Sequence, residues 1–130
     1  MDSGIVMDCY FGSYSRGEAE STQKEMLVCF SIPSAGIAFK APFCGEELHS
    51  NYASLLTLLE FIDLNRKLFK GRHLKIYSDS LELIKQIRSN TCRLEFTELL
   101  RKVLEYKKKL SWSIDWIPKN DNPSVDYLFD

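Results

Sequence analysis

The chain of 130 residues lacks the features that mark membrane, secreted or zinc-binding proteins. No apolar run approaches the ~20 residues that a membrane-spanning helix needs. The opening Met-Asp-Ser-Gly has neither the basic nor the apolar region of a secretory signal, which favours a cytoplasmic protein. The four cysteines stand singly, with no Cys-x-x-Cys pair and no nearby histidine. We therefore expect reduced, mostly buried thiols and no zinc site.

Repeats, low-complexity tracts and linkers are also absent, so we expect residues 1–130 to form a single domain. The net charge is only −1, but charge is strongly segregated along the chain. Residues 66–110 hold thirteen Lys and Arg against five acids, a balance of +8, while residues 1–65 balance at −6 and residues 111–130 at −3. This pattern suits a phosphate-binding surface beside a metal site, but taken by itself it favours a helical region with a solvated basic face.

Apolar alternation in the first part of the chain predicts three strands joined as an antiparallel meander. The polar stretch between the first two strands and the turn Pro33-Ser34-Ala35-Gly36 between the second and third are typical connections. The predicted strands are Ile5–Tyr14, Glu25–Ile32 and Gly36–Phe43.

Helical periodicity then alternates with two short strands. Ser50 or Asn51 can cap a helix that runs to about Phe69 and stops before Gly71. Further elements are predicted at Leu74–Tyr77 (strand), Ser80–Arg88 and Leu94–Lys109 (helices), 112–116 (strand with Trp112, Ile114 and Trp116) and Pro123–Phe129 (helix). The order βββαβααβα predicts an α/β fold, with a five-stranded mixed sheet and helices on its faces.

Three aspartates occupy positions where such a fold could gather them. Asp8 lies inside the first strand, Asp79 ends the fourth strand, and Asp126 lies in the last helix. A charge in a strand interior must be solvated, paired or bound to metal, because burying it alone is very costly. If the three side chains converge at one end of the sheet, they make a site for a divalent cation.

The same order of elements and acids resembles the ribonuclease H family over nearly the whole chain. Members place an Asp in the first strand shortly before Gly and Ser, and here Asp8 is followed by Gly12-Ser13. They end the fourth strand with Asp-Ser, matched by Asp79-Ser80, and place an Asp in the last helix after a loop, matched by Asp126. The resemblance implies a ribonuclease H-like α/β fold.

Two features depart from the family pattern. The first helix begins with Asn51 as in the family, but Ser54 stands where members carry a Glu, and Glu60 points about 120° away from that position. The loop from Pro118 to Asn122 also lacks the family's histidine. The resemblance therefore implies weakened metal affinity and a large loss of rate.

The resemblance implies two-metal hydrolysis of the RNA strand of RNA–DNA hybrids. Two Mg²⁺ (or Mn²⁺) ions would be bound by Asp8, Asp79 and Asp126, which are therefore the predicted catalytic and metal-binding residues. Asn51, Ser54 and Asn120 are the predicted contacts to nucleic acid.

Each of the three acids has a simpler reading. Asp8 could face solvent on an edge strand, Asp79 could cap the helix that follows it, and Asp126 could favour the start of its helix dipole. At the level of function, the alternative to the nuclease is a catalytically inactive ribonuclease H-like module that binds nucleic acid or a protein partner. The retained aspartates favour the nuclease, whereas Ser54 and the missing histidine favour the inactive module. An unrelated α+β fold with coincidental acids is the third reading.

Overall fold

The computed structural model describes residues 5–15 and 25–124 of the chain, and its centre is one five-stranded sheet. The strands lie in the order β3-β2-β1-β4-β5. The pairs β1–β2 and β2–β3 are antiparallel, and the pairs β1–β4 and β4–β5 are parallel. The strands are β1 (Ile5–Ser15), β2 (Glu25–Ile32), β3 (Ile37–Cys44), β4 (Arg72–Ser78) and β5 (Trp112–Trp116). The predicted mixed sheet is confirmed.

Four α-helices connect the later strands: α1 (Glu47–Leu64), α2 (Arg66–Phe69), α3 (Leu81–Ser89) and α4 (Thr97–Lys109). Single 3₁₀ turns occupy Pro33–Ala35, Leu94–Phe96 and Lys119–Asp121. The predicted final helix, Pro123–Phe129, falls mainly outside the described residues. No helix of the described segments is both long and apolar enough to cross a membrane.

The first helix begins earlier than Ser50 and Asn51 predict. Glu46 is its N-cap, and the Ser50 hydroxyl and Asn51 amide donate to the carbonyls of Glu46 (2.8 Å) and Glu47 (3.1 Å). Small polar side chains can bond back to the preceding turn in this way instead of capping the helix. The prediction of one helix to Phe69 is also wrong, because the chain leaves helical geometry at Asn65.

One face of the sheet carries the core. Side chains alternate along a strand, and the odd-numbered β1 residues Met7, Cys9 and Phe11 are buried with the apolar faces of the helices. On the opposite face lie Asp8 and Tyr10, with Tyr10 stacked on Tyr77 of β4. This alternation decides which β1 side chain can meet a residue of α1.

The four thiols are all free, but only two of them are buried. Burial raises the pKa of the Cys9 thiol to about 12, and burial also raises the pKa of Cys29. Cys44 is exposed and Cys92 is half-buried, so the expectation of mostly buried thiols holds for half of them. In β5, Trp112 is buried, whereas Trp116 is 45% exposed.

Candidate functional site

Asp79 lies at the carboxyl end of β4, where the chain turns into α3. The Ser80 hydroxyl accepts a hydrogen bond from the Leu83 amide (3.3 Å), so Ser80 caps the helix and Asp79 does not. The Ser78 hydroxyl in turn accepts from the Ser80 amide (3.0 Å), which fixes the turn on the other side of Asp79. With both neighbours engaged in the turn, the Asp79 carboxylate points to the loop that follows β5.

Asn122, in that loop, is the hub of the site and is only 1% exposed. Its amide nitrogen donates to the Phe11 carbonyl oxygen (2.9 Å) and to Asp79 Oδ2 (3.1 Å). Its Oδ1 accepts from the Ser124 amide (3.0 Å) and from the Ser124 hydroxyl (2.6 Å). The nitrogen end of the Asn122 side chain therefore fastens the loop to β1 and to Asp79, and the oxygen end fixes the turn to Ser124.

The loop approaches β1 so closely that little room is left for a side chain at Gly12. A Cβ at Gly12 would lie 3.2 Å from the Asn122 side-chain nitrogen, 3.5 Å from Ser124 Oγ and 3.6 Å from Asp79 Oδ2. The first distance is tighter than ordinary van der Waals contact. Gly12, Asp79, Asn122 and Ser124 thus form one compact polar cluster, which we call the Asn122 cluster.

The Asp79 carboxylate is partly desolvated in this cluster. Burial raises the pKa of Asp79, while the hydrogen bond from Asn122 and the positive charge of Lys119 lower it, and the charge of Glu47 raises it. The net direction is upward. Lys119 also lies over the Tyr14 ring, with Nζ 5.6 Å from the ring centroid. The ionised carboxylate is therefore held at a cost in free energy.

This cost predicts that Asp79→Asn stabilises the protein at neutral pH. An acid whose folded-state pKa is raised binds more protons in the folded state, so the free energy of unfolding rises as the pH falls through that pKa. Asn keeps an oxygen that accepts from Asn122, so the hydrogen bond stays while the charge is removed, and partial exposure keeps the stabilisation small. Thermal unfolding at pH 7 and at lower pH measures it, with the difference shrinking as pH falls. The exposed Asp121→Asn in the same loop should change little, and a lower midpoint for Asp79→Asn would contradict the assignment.

The structure does not bring Asp8 to Asp79. Asp8 pairs with Lys75, and continuing the β1–β4 register past Tyr10 and Tyr77 sets Gly12 beside Asp79. Asp8 is thus four residues away, about 13 Å along the strand. Its side chain is exposed on the face opposite the helices, although β1 is a central strand and not an edge. The prediction that Asp8 shares a metal site with Asp79 is therefore wrong.

On the helix side of β1, the residue next to this position is Phe11, which is completely buried. Ser54 of α1 is 1% exposed and donates to the carbonyl of Cys29 (2.6 Å), the β2 residue that pairs with Gly12. At these positions β1 and α1 thus present a buried apolar ring and an engaged hydroxyl, and neither is a carboxylate.

Of the three predicted contacts to nucleic acid, two are buried and one is exposed. Asn51 is 3% exposed and Ser54 is 1% exposed, so neither can reach a ligand on the surface, and these two predictions are wrong. The Asn51 amide is engaged with the Glu47 carbonyl. Asn120 is exposed in the 3₁₀ turn Lys119–Asp121 and remains a candidate.

The described residues do not fit a two-metal centre. No group of three or more His, Cys, Asp or Glu side chains in residues 5–15 and 25–124 could hold a metal ion. Asp79 is the single carboxylate of the Asn122 cluster, and one of its oxygens already accepts from Asn122. Asp126, the third predicted ligand, lies outside the described residues.

The sequence analysis missed Phe11 and Asn122. The signal for Phe11 was the alternation itself, because Asp8 has the parity of Tyr10 and not of the core residues Met7 and Cys9. The signal for Asn122 was weaker: Asn122-Pro123 reads as a helix start, and nothing in the residue types places its amide on β1 and β4.

Similarity to known proteins lies in three-dimensional structure only. No protein-family profile and no curated protein sequence matches the chain. Ribonuclease H1 of the halophilic archaeon Halobacterium salinarum superposes with a TM-score of 0.76 at 19% identity, covering 95% of this chain and 93% of the other. LC11 ribonuclease H1, isolated from compost by a metagenomic approach, superposes with a TM-score of 0.75 at 16% identity, covering 98% of this chain and 93% of the other.

Two further solved structures were determined with nucleic acid. LC11 ribonuclease H1 in complex with RNA/DNA hybrid gives a TM-score of 0.74 at 15% identity, covering 94% of this chain and 92% of the other. A foamy viral protease-reverse transcriptase in complex with double-stranded DNA gives 0.69 at 11% identity, covering 95% of this chain and 91% of the other. The chain therefore has the ribonuclease H fold, as the resemblance in its sequence implies.

Proposed function

From the ribonuclease H fold of this chain, we propose that residues 1–130 form one domain that binds nucleic acid, RNA–DNA hybrid above all, without hydrolysing it by a two-metal mechanism. The observation that carries the proposal is that Phe11 of β1 and Ser54 of α1 are both buried and that neither supplies a carboxylate. In the family that the fold resembles, metal-bound carboxylates perform the reaction, and here β1 and α1 present a buried ring and a hydroxyl that is hydrogen-bonded to the backbone.

The chemistry of the donor set supports this reading. Mg²⁺ requires near-octahedral oxygen coordination and is usually bound through one or two carboxylates together with substrate phosphates. Two such ions about 4 Å apart must share carboxylates that lie between them. Within residues 5–15 and 25–124, Asp79 has no group of carboxylates around it with which to form this bridge, and its Oδ2 is engaged by Asn122. The Asn122 cluster instead holds the loop after β5 against β1 and the end of β4.

Support for nucleic acid as the partner comes from the solved structures and from charge. The LC11 enzyme and the foamy viral protein have the same fold and were solved with hybrid and with double-stranded DNA. In this chain, the segment 66–110 carries the +8 balance that a phosphate backbone requires. Lys119 and the exposed Asn120 lie in the loop beside Asp79 and would contact backbone phosphates there.

The ribonuclease H-type nuclease, dependent on Mg²⁺ or Mn²⁺, is the second candidate. The observation that favours it is Asp79, which keeps a carboxylate with a raised pKa at the carboxyl end of β4, where the resemblance places a catalytic acid. Cleavage of hybrid that depends on Asp79 would select this candidate. A third outcome, binding to a protein and to no nucleic acid, would leave only the fold in place.

The proposal predicts that binding to hybrid does not require a divalent cation. With a labelled RNA–DNA hybrid of about 20 base pairs at low ionic strength, fluorescence anisotropy should give dissociation constants that agree within about twofold in Mg²⁺ and in excess EDTA. The constant should rise steeply with monovalent salt, because Lys and Arg release counterions from the phosphates. Loss of binding in EDTA would contradict the proposal, since it would place a metal between the protein and the phosphates.

A further inference from the structure

A basic cleft opens at the end of the sheet opposite to Asp79. It has a volume of about 430 Å³ and lies between the end of α1 with α2, the start of β4 and the end of α4. From Arg72 to Asp79 the chain advances seven residues along β4, which is about 23 Å. The cleft and the Asn122 cluster are thus separate surfaces of the same sheet.

Cationic side chains form the rim of the cleft. The residues that line it include Arg66, Lys67, Lys70, Arg72 and Lys109, together with His73, and of the described residues no Asp or Glu lines it. Arg66 is paired with Asp63, and Lys109 lies over the Tyr106 ring. Lys67, Lys70 and Arg72 are exposed and form no ion pair within residues 5–15 and 25–124. Three cations are therefore available to a ligand.

The cleft has an apolar floor, and the turn at Gly71 leaves space on one side of it. Ile62, Phe69, Leu74 and Leu110 lie beneath the rim. Gly71 joins Lys70 to Arg72 with φ +75°, a conformation that glycine adopts without strain, and no atom lies within 4 Å of where its Cβ would be. The site therefore combines apolar lining residues with several positive charges.

This combination matches a nucleotide unit in a strand. A volume of about 430 Å³ is in the range of small-ligand pockets, large enough for a base and its sugar on the apolar floor. Several cations along the rim suit the successive phosphates of a backbone.

We infer that the basic cleft binds single-stranded nucleic acid, with one nucleotide over Phe69 and Leu110 and the flanking phosphates on Lys67, Lys70 and Arg72. The inference rests on the proposed function and gives it a second contact surface. The separation of about 23 Å corresponds to about seven base-pair steps of a duplex. A hybrid seated near the Asn122 cluster would reach the cleft with a single-stranded overhang.

Two charge-matched triple variants test the inference. K67Q/K70Q/R72Q removes the free rim cations, and K85Q/R93Q/K102Q removes three exposed cations elsewhere on α3, α4 and the connection between them. The probe is a labelled 12-nucleotide single-stranded DNA, titrated by fluorescence anisotropy at several salt concentrations. The cleft triple should weaken binding at least tenfold and reduce the slope of log affinity against log salt by about 2. The control cations lie in the same basic segment but do not line the cleft, so the control triple should weaken binding far less than the cleft triple. Both triples should keep the parent circular-dichroism spectrum.

Each other outcome has a definite meaning. If both triples lose affinity equally, the cleft is not the binding site, and the proposed function is unaffected. The same holds if the parent binds the hybrid but neither the parent nor the variants bind the single strand. If adenosine monophosphate competes for the cleft as well as the oligonucleotide does, the ligand is a free nucleotide and not a strand. If the parent binds neither the single strand nor the hybrid, the proposed function itself is overturned.

Discussion

Asn122→Ala is expected to lower the free energy of unfolding by about 3 kcal/mol, because the substitution leaves several polar groups of the cluster without partners. The Phe11 carbonyl and the Ser124 amide would both lose the group that satisfies them, and Asp79 would lose its donor. Each buried polar group left unpaired costs about 1–3 kcal/mol. Urea denaturation followed by tryptophan fluorescence measures the change.

The loop that contains Asn122 also supplies the matched control for Asn122→Ala. Asn120 is exposed, and Asn120→Ala should change stability by less than about 0.5 kcal/mol. Asn122→Asp keeps the accepting oxygen but removes the donor and adds a negative charge beside Asp79, so it should be at least as harmful as Asn122→Ala. If Asn122→Ala costs no more than Asn120→Ala, the loop is not held by the Asn122 cluster.

Phe11→Asp is expected to cost about 4 kcal/mol or more. Phe11 is completely buried in β1 and pairs with Phe30 of β2 in the core. The substitution removes a buried aromatic ring, worth about 3–5 kcal/mol, and places a carboxylate in a site without a cation. Chemical denaturation measures the loss where the variant folds, and Phe11→Leu, with an expected cost of about 1 kcal/mol, gives a second value where it does not.

The control for Phe11→Asp is Phe39→Asp on the edge strand β3, where the ring is 37% exposed and the expected cost is about 1–2 kcal/mol. The result that would contradict our description is a well-folded Phe11→Asp whose melting temperature rises in Mn²⁺. That outcome would mean that position 11 faces a pocket able to hold a metal with Asp79.

The fold could be predicted because alternation and helical periodicity agree with the order of elements. β2 has the predicted bounds, Glu25–Ile32, and each of the other strands lies within two residues of its prediction. The predicted start of the first helix is wrong because a polar side chain near a helix start can either cap the helix or bond to the preceding turn. Ser50 and Asn51 look like caps but bond to the preceding turn, whereas Ser80 is a true cap.

The site could be predicted only in part, because matching residue types does not fix register. Asp79 was found because the end of β4 is marked by the change from strand to helix. Asp8 was chosen as the only acid of its strand, although a shift of one residue moves a side chain to the other face of a sheet. The role of Asn122 depends on contacts 111 and 43 residues away in sequence, to Phe11 and Asp79, which no local pattern encodes.

The most direct measurement of the central claim is cleavage in the hybrid-binding mixtures described above. Parent protein, Asp79→Asn and Asn120→Ala are incubated with end-labelled hybrid in Mg²⁺ or Mn²⁺, and the RNA strand is resolved on a denaturing gel. We expect intact RNA in every lane, including lanes in which anisotropy shows the hybrid fully bound. RNA fragments produced by the parent and by Asn120→Ala, but not by Asp79→Asn, would contradict the account and identify an active nuclease.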